Sequence, residues 1–265
     1  MKFHKYQALG NDFIIVNEDV TSKEAKTICD RHFGVGADGI LVHYKSQKAD
    51  AGMKIINSDG SLAVMCGNGL RCFCSYLVND CDLSKNPILV ETGRGVLEVS
   101  YKKAEEGFSV EANLGKPELM NGGFFEFSSN GVDCKGVGIS MGNPHLVVFP
   151  LTKINERQAK EIADEVQKNN RFGIELNVEV VTGIDKMSRS ISMIVKERGA
   201  GFTLGCGTGG AAIIEGMNID GIIKDDLWSM TFPGGTAQYY IKNGEVIMTG
   251  IPKKVFSGQI KRGCP

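Results

Sequence analysis

Two cysteines stand in the same unusual setting. Cys66 lies in "MCGNGLRC" (65–72) and Cys206 in "LGCGTGGA" (204–211). Each is followed by Gly-polar-Gly and then by an apolar run that reads as a buried helix. Gly67, Gly69, Gly207 and Gly209 let the backbone approach a ligand closely. The first turn of each helix offers unpaired N–H groups and a positive dipole end, which suits an anion such as a carboxylate. The same position favours thiolate over thiol. At an ordinary pKa of about 8.5 a thiol is only a few per cent ionised at neutral pH, so a modest lowering makes a usable base. Two such thiols flanking an amino-acid carboxylate predict a specific chemistry. One thiolate removes the Cα proton, the other thiol returns a proton from behind, and the product is the mirror-image centre. That reaction requires neither pyridoxal nor a metal. The competing readings are two core cysteines beside glycine turns, and a redox or metal-binding thiol protein.

The elements that must position these thiols repeat. Cys66 and Cys206 are 140 residues apart. Asn57 lies nine residues before Cys66, and Glu197 lies nine before Cys206. Gly95 maps onto Gly235 by the same offset, and each opens a strand-like stretch. Asn11 in "GNDF" and Asn143 in "GNPH" are 132 apart. The pattern reads as an internal duplication, with chance similarity of glycine-rich turns as the alternative. In the first half, "KFHKYQALG", "FIIVNE", "ILVHY", "AGMKIIN", "ILVETGRG", "VLEVSY" and "FSVEANLG" read as strands. "SKEAKTICDRHF" and "GNGLRCFCSYLVND" read as helices. In the second half, "GVGISMG", "HLVVF", "NVEVVTGI", "SISMIVKE", "SMTFPGG", "AQYYIK" and "EVIMTG" read as strands. "NERQAKEIADEVQKN" and "GTGGAAIIEGMNIDG" read as helices. The predicted fold class is α/β of the α+β type. It has two pseudo-symmetric halves, each a mostly antiparallel sheet wrapped around a central helix.

Composition narrows the function classes. The chain has 265 residues with a formal net charge of −1 and no basic patch, so nucleic acid is not an expected partner. No apolar stretch approaches the roughly 20 residues of a membrane span. The start, "MKFHKYQALGNDF", lacks a secretory apolar region, and the expected location is the cytoplasm. Eight cysteines, at 29, 66, 72, 74, 81, 134, 206 and 264, then read as thiols rather than a disulfide framework. "GVGADG" (34–39) matches G-x-G-x-x-G, but helix precedes it and strand follows, the reverse of a dinucleotide turn. The spacing C-x5-C-x-C-x6-C from Cys66 to Cys81 fits no standard zinc or cluster pattern. "GCGTGG" lacks the Lys-Ser/Thr of a phosphate loop. His145 has no evident partner among His4, His32 and His43, and reads as structural or as part of a substrate rim. Trp228 reads as core or interface. No metal is expected.

"INSDGSLAVMCGNGLRC", "SMGNPHLVVF" and "KERGAGFTLGCGTGG" closely resemble the diaminopimelate epimerase family. "ALGNDF", "DRHFGVGADGILV" and "FPGG" extend the resemblance across nearly the whole chain. It implies a cofactor-independent isomerase of lysine biosynthesis that interconverts LL- and meso-diaminopimelate, acting as a homodimer on a small amino-acid substrate. It implies a first domain of 1–114 joined by the returning 252–265, and a second of 115–251. Cys66 and Cys206 would be the acid–base pair. Gly67, Asn68, Gly207 and Thr208 would bind the reacting carboxylate through backbone N–H groups. Asn11, Asn57, Asn143, Asn177, Glu197 and Arg198 would line the rest of the substrate. Arg198 suits the distal carboxylate as a fork, and Glu197 suits an ammonium. The chain departs from the family pattern at several points. Leu62 and Val64 replace acidic residues, Gln7 replaces a His, Phe172-Gly173 stands for Phe-Pro, and Gly205 and Gly210 replace alanines. Related racemases act on proline, hydroxyproline or histidine. Proline racemases usually carry His where Asn68 stands, which makes a histidine racemase the sharper rival on substrate.

Overall fold

The computed structural model describes residues 1–169, 173–223 and 226–261. Backbone contacts divide the chain into two units, Met1–Asn113 with Thr249–Pro265, and Leu114–Met248. The fold is mixed α/β, with many strands and four helices among the described residues.

The first unit starts with β1 (Lys2–Ala8), β2 (Asn11–Val16) and α1 (Ser22–Cys29). It continues with β3 (Gly39–Tyr44), β4 (Ala51–Asn57) and the short β5 (Leu62–Ala63). Then come α2 (Gly67–Asp80), β6 (Ile88–Thr92), β7 (Gly95–Ala104) and β8 (Gly107–Asn113). β1 and β2 pair antiparallel, β2 and β3 parallel, and β3 and β4 antiparallel. β4 pairs antiparallel with β5 and parallel with β6, and β6–β7–β8 form an antiparallel meander.

The second unit carries β9 (Glu118–Ser129), β10 (Val132–Ser140), β11 (Pro144–Pro150) and α3 (Glu156–Asn169). β12 (Asn177–Asp185), β13 (Ser190–Glu197), β14 (Gly201–Thr203) and α4 (Gly207–Ile219) follow. β15 (Trp228–Phe232), β16 (Gly235–Lys242) and β17 (Glu245–Gly250) come next, and the last two residues of β17 fall in the first unit. β18 (Lys253–Gln259) closes the chain and pairs antiparallel with β1.

The pairing scheme of the second unit repeats that of the first. β10–β11 is antiparallel, β11–β12 parallel and β12–β13 antiparallel. β13 pairs antiparallel with β14 and parallel with β15, and β15–β16 is a hairpin. β18 lies beside β1 as β9 lies beside β10. So each unit is a mostly antiparallel sheet with two parallel joins, packed on a helix that follows a cysteine. Gly95 and Gly235 show the repeat at one residue each. Both open the second strand of a two-residue hairpin, with φ of 122° and 135°, a conformation that L side chains rarely adopt.

The central helices form where the sequence has apolar residues on every side. In α2, residues 67 to 77 are all buried, and in α4 only Thr208, Glu215, Asn218 and Ile219 are not. α2 packs on β1, β2, β4, β7 and β8, and α4 on β10, β11, β12 and β16. A helix buried all round gains its stability from the sheet around it. The outer helices are amphipathic and capped. Thr21 and Glu24 form a reciprocal capping box on α1. Asn155 and Gln158 exchange the same pair of bonds at the start of α3.

Two elements differ from the sequence reading. The helix expected over 22–33 stops at Cys29. The Asp30 carboxylate accepts from the His32 and Phe33 N–H groups, both at 2.7 Å, and so offers the backbone a turn instead of further helix. A Cβ on Gly34 would lie 2.2 Å from the Thr27 carbonyl oxygen, so the chain folds back closely there. The strand β9 was not read from the sequence, because its "NGG" resembles a turn. No helix among the described residues is long and apolar enough to cross a membrane.

Candidate active site

In the first unit, Cys66 is the N-cap of α2, with extended backbone (φ −145°, ψ 120°). Its sulfur accepts from the Gly69 N–H at 3.4 Å, as an N-cap side chain does. It also donates to Asn11 Oδ1 at 3.7 Å. Asn11, the first residue of β2, takes a second bond to this oxygen from Asn68 Nδ2 at 3.5 Å. The Asn68 carbonyl accepts from Arg71 Nη2 at 2.7 Å, with both residues buried. Asn57, the last residue of β4, donates to Ser61 Oγ at 2.9 Å. Cys66, Asn11 and Asn68 are therefore brought together, and Asn57 ends the strand beside the loop that leads to Cys66.

The second unit builds the corresponding half from other residues. Cys206 is the N-cap of α4, also extended, and is only 6 % exposed. Its sulfur lies 3.4 Å from Thr208 Oγ1, which also receives the Asn143 side-chain N–H at 3.4 Å. Asn143 immediately precedes β11, as Asn11 opens β2. Glu197 ends β13, as Asn57 ends β4, and its Oε1 accepts from Thr203 Oγ1 at 2.6 Å. Asn177 donates to the Pro144 carbonyl at 3.3 Å and accepts from the Arg198 N–H at 2.9 Å, so its amide ties the start of β11 to the end of β13. Among the described residues the Arg198 guanidinium has no ion-pair partner.

Electrostatics sets the second thiol apart. Burial pushes the Cys206 thiol well above its ordinary range, and the carboxylates of Glu197 and Glu179 push it further. Bonds from Thr208 and the Gly209 N–H act the other way and lose. The sequence reading expected the helix end to lower this thiol. Two carboxylates and a dry environment outweigh one helix terminus. Glu197 is itself raised by burial, against the opposing effect of hydrogen bonds from Thr203 and Cys206. Cys206 and Glu197 are thus two neighbouring buried acids, both of which favour their protonated forms.

His145 gained its partner only in the structure. On the adjoining parallel strand, Glu179 Oε1 lies 2.7 Å from His145 Nδ1, and both side chains are fully buried. Among the described residues, His145 Nε2 and Glu179 Oε2 have no hydrogen-bond partner. The signal in the sequence was a single acidic residue in the apolar run "NVEVV". This pair sits under the first turn of α4, where a Cβ on Gly209 would meet Glu179 Oε1 at 2.6 Å. The equivalent Gly69 would meet Leu41 at 3.3 Å, and only side-chain carbons. Gly209→Ala is therefore expected to lose about 1–3 kcal/mol by overpacking the buried His145–Glu179 pair. Gly69→Ala should stay near neutral, its tight fit offset by the better helix propensity of alanine. Urea unfolding of both variants measures the difference; equal effects would contradict this account of Gly209.

All seven cysteines among the described residues are thiols; Cys29, Cys72, Cys74 and Cys134 are core, and Cys81 is exposed. Cys264 and Phe172 lie outside the described residues. No group of three or more His, Cys, Asp or Glu is gathered as for a metal ion among those described. "GVGADG" leads into β3 with no helix after it, the arrangement on which a dinucleotide turn was discounted.

The sequence profile of the family described as Diaminopimelate epimerase matches residues 3–120 and 137–255. The chain belongs to the diaminopimelate epimerase family. It is 35% identical over 278 residues to a diaminopimelate epimerase from Carboxydothermus hydrogenoformans, covering 98% of this chain and 99% of the relative. It is 36% identical to one from Elusimicrobium minutum, covering 98% and 100%. A crystal structure of a hydroxyproline epimerase from Agrobacterium vitis shares the fold, with TM-score 0.72 at 13% identity over 98% of this chain and 90% of that one. In the family's two-segment match, each segment spans one cysteine-capped helix. Cys66 falls in the first segment and Cys206 in the second.

Proposed function

We propose that this protein is a diaminopimelate epimerase that interconverts the LL and meso forms by proton transfer between two thiols. Membership of the family, at 35–36% identity over nearly whole chains, supports the substrate. The observation that carries the mechanism is the repeat. Two units of one topology each place a thiol as N-cap of a buried helix, with an asparagine from the preceding strand region beside it.

In the forward step, a thiolate takes the Cα proton and its sulfur becomes a thiol. The electron pair left on Cα is delocalised into the α-carboxylate, whose growing charge is met by N–H groups of the helix first turns, Gly67, Asn68, Gly207 and Thr208. The second thiol gives its proton to the opposite face of Cα and becomes the thiolate. The reverse reaction exchanges the roles. Each thiol therefore alternates between acid and base. The distal ammonium and carboxylate of the substrate suit Glu197 and Arg198.

Proton NMR in D2O tests the reading. Freshly reduced protein is incubated separately with LL-diaminopimelate, L-histidine, L-proline and L-lysine. Loss of the Cα proton and appearance of the meso form with diaminopimelate alone is the expected result. Exchange with histidine alone would overturn the substrate. No exchange with any of them would overturn the enzyme reading.

A further inference from the structure

The "GNDF" and "DRHFGVGADG" stretches contain a charged cluster that the reaction does not use directly. Asp12 Oδ2 is 2.7 Å from the buried Lys5 ammonium, which also donates to the Gly36 carbonyl. Arg31 grips Asp12 with both terminal nitrogens and reaches Asp38 Oδ1 at 2.7 Å. Burial pushes the Asp12 carboxyl up, but Arg31 and Lys5 win and hold it at about 2, so it stays ionised. Asp38 receives the Asp12 N–H at 3.1 Å and the Asn11 side-chain N–H at 2.7 Å.

An amide has two faces, and its neighbours decide which one turns where. Asp38 Oδ2 accepts both the Asp12 N–H and the Asn11 NH2, which turns that face of the Asn11 amide toward Asp38. The Asn11 carbonyl oxygen then faces the Cys66 sulfur and Asn68 Nδ2. At the other end, Arg71 only donates, which fixes the Asn68 carbonyl toward it and the Asn68 NH2 toward Asn11. The relay Asp38–Asn11–Asn68–Arg71 thus ends on two groups of single character, and neither amide can turn over without breaking a bond at its fixed end.

We propose that Asp38 is a positioning residue for Cys66: by accepting from Asn11 it holds the Asn11 carbonyl, rather than the NH2, against the sulfur. The inference rests on Cys66 being one of the two acid–base thiols. The sulfur then accepts from the Gly69 N–H and faces an acceptor, Asn11 Oδ1. If the amide turned over, it would offer the sulfur a further N–H instead. A thiolate held by more donors forms more readily but is a weaker base for a carbon acid. Asp38 keeps the sulfur basic. Cys206 has the opposite surroundings, with carboxylates in place of the amide. Charged or titratable groups on the Cys66 side include Asp38, Asp12, Arg31 and Lys5 from the cluster, with Arg71 and Cys72 on α2.

The test reads the thiol itself, so it does not depend on turnover. The rate of iodoacetamide labelling at Cys66 is followed against pH by peptide mass spectrometry, in the intact reduced protein. Asp38→Asn keeps the shape but can turn either face to Asn11. It is expected to lower the Cys66 midpoint by about half a pH unit, a roughly threefold faster labelling below the midpoint. In an Asn11→Ala background the same change should have little further effect, because the amide it acts through is gone. An equal shift in both backgrounds would mean that Asp38 acts by charge alone, and no shift would mean that it does not act on Cys66; either overturns the proposal. If Asp38→Asn fails to fold, the wild type decides. The 15N-labelled Asn11 side chain should show one amide proton protected from exchange. Two rapidly exchanging protons there would overturn the inference. Failure to epimerise diaminopimelate would leave these readings intact, which separates this idea from the assignment of activity.

Discussion

Replacing either cysteine by alanine is expected to lower the interconversion of LL- and meso-diaminopimelate by about 10²–10⁴-fold, the range that a positioned acid or base contributes. Inversion needs a base on one face of Cα and an acid on the other, so neither thiol can substitute for its partner. The more telling result is what survives. A remaining thiol can still remove the Cα proton that faces it and return a deuteron to the same face. Cys66→Ala and Cys206→Ala should therefore each wash deuterium into one isomer and leave the other nearly untouched, with the two variants showing opposite choices. Proton NMR in D2O, starting from pure LL and pure meso substrate, reads both isomers. Two variants that exchange the same isomer would contradict one thiol per face. Interconversion that persists in the double variant would remove the thiols from the mechanism. Cys66→Ala also loses the sulfur that accepts from Gly69, so a modest fall in stability of about 0.5–2 kcal/mol accompanies it. That change is read separately by unfolding and does not imitate a choice between isomers.

What the sequence revealed and what it hid follow from the range of the interactions. The two thiols, the helices after them and the pairing of Asn57 with Glu197 were legible. Helix caps and apolar periodicity are local, and the 140-residue offset repeats them. The structure places Asn57 and Glu197 as the last residues of β4 and β13, the equivalence the offset suggested. The surroundings of each thiol were not legible. Glu179 reaches the neighbourhood of Cys206 from a strand 27 residues earlier in the chain, and its pairing with His145 depends on the register of two parallel strands. No local pattern encodes such a register. The same limit hid the role of Asp38, which was quoted within a motif but could be linked to Asn11 only once β2 and β3 lay side by side. The direction of the Cys206 shift was misjudged for this reason: the helix terminus is visible in sequence, and the two carboxylates that outweigh it are distant in sequence.

The buried cysteines give the second large effect, a steep loss of stability in alkali. Burial pushes the thiols of Cys29 and Cys74 up to about 12 and that of Cys134 up to about 11. Burial raises Cys72 and Cys206 as well, with Glu197 and Glu179 adding to the rise at Cys206. In the unfolded chain these thiols titrate near about 8.5–9. Below that range both states hold the protons, and the contribution is fully present. Above it the unfolded chain releases protons that the folded protein keeps, so stability falls as pH rises. The fall continues until the folded thiols themselves ionise, from about 11 upward. Each thiol costs about 1.4 kcal/mol per pH unit across this window. Cys29, Cys74 and Cys134 together lose about 4 kcal/mol per pH unit, which within about two units reaches the size of a typical folding free energy, about 5–15 kcal/mol. The urea midpoint of the reduced protein is therefore expected to be nearly level from about pH 7 to 8.5 and to drop sharply between about 9 and 10. The buried tyrosines, Tyr6 and Tyr76, are shifted in the same direction by burial, but unfolded tyrosine titrates only near about 10, so the first unit of the window isolates the thiols. Cys74→Ala and Cys134→Ala should each flatten the slope by one proton's worth, whatever their packing does to stability at neutral pH. A level curve to pH 10, or a slope indifferent to both substitutions, would show that these thiols ionise in the folded protein as easily as in the open chain.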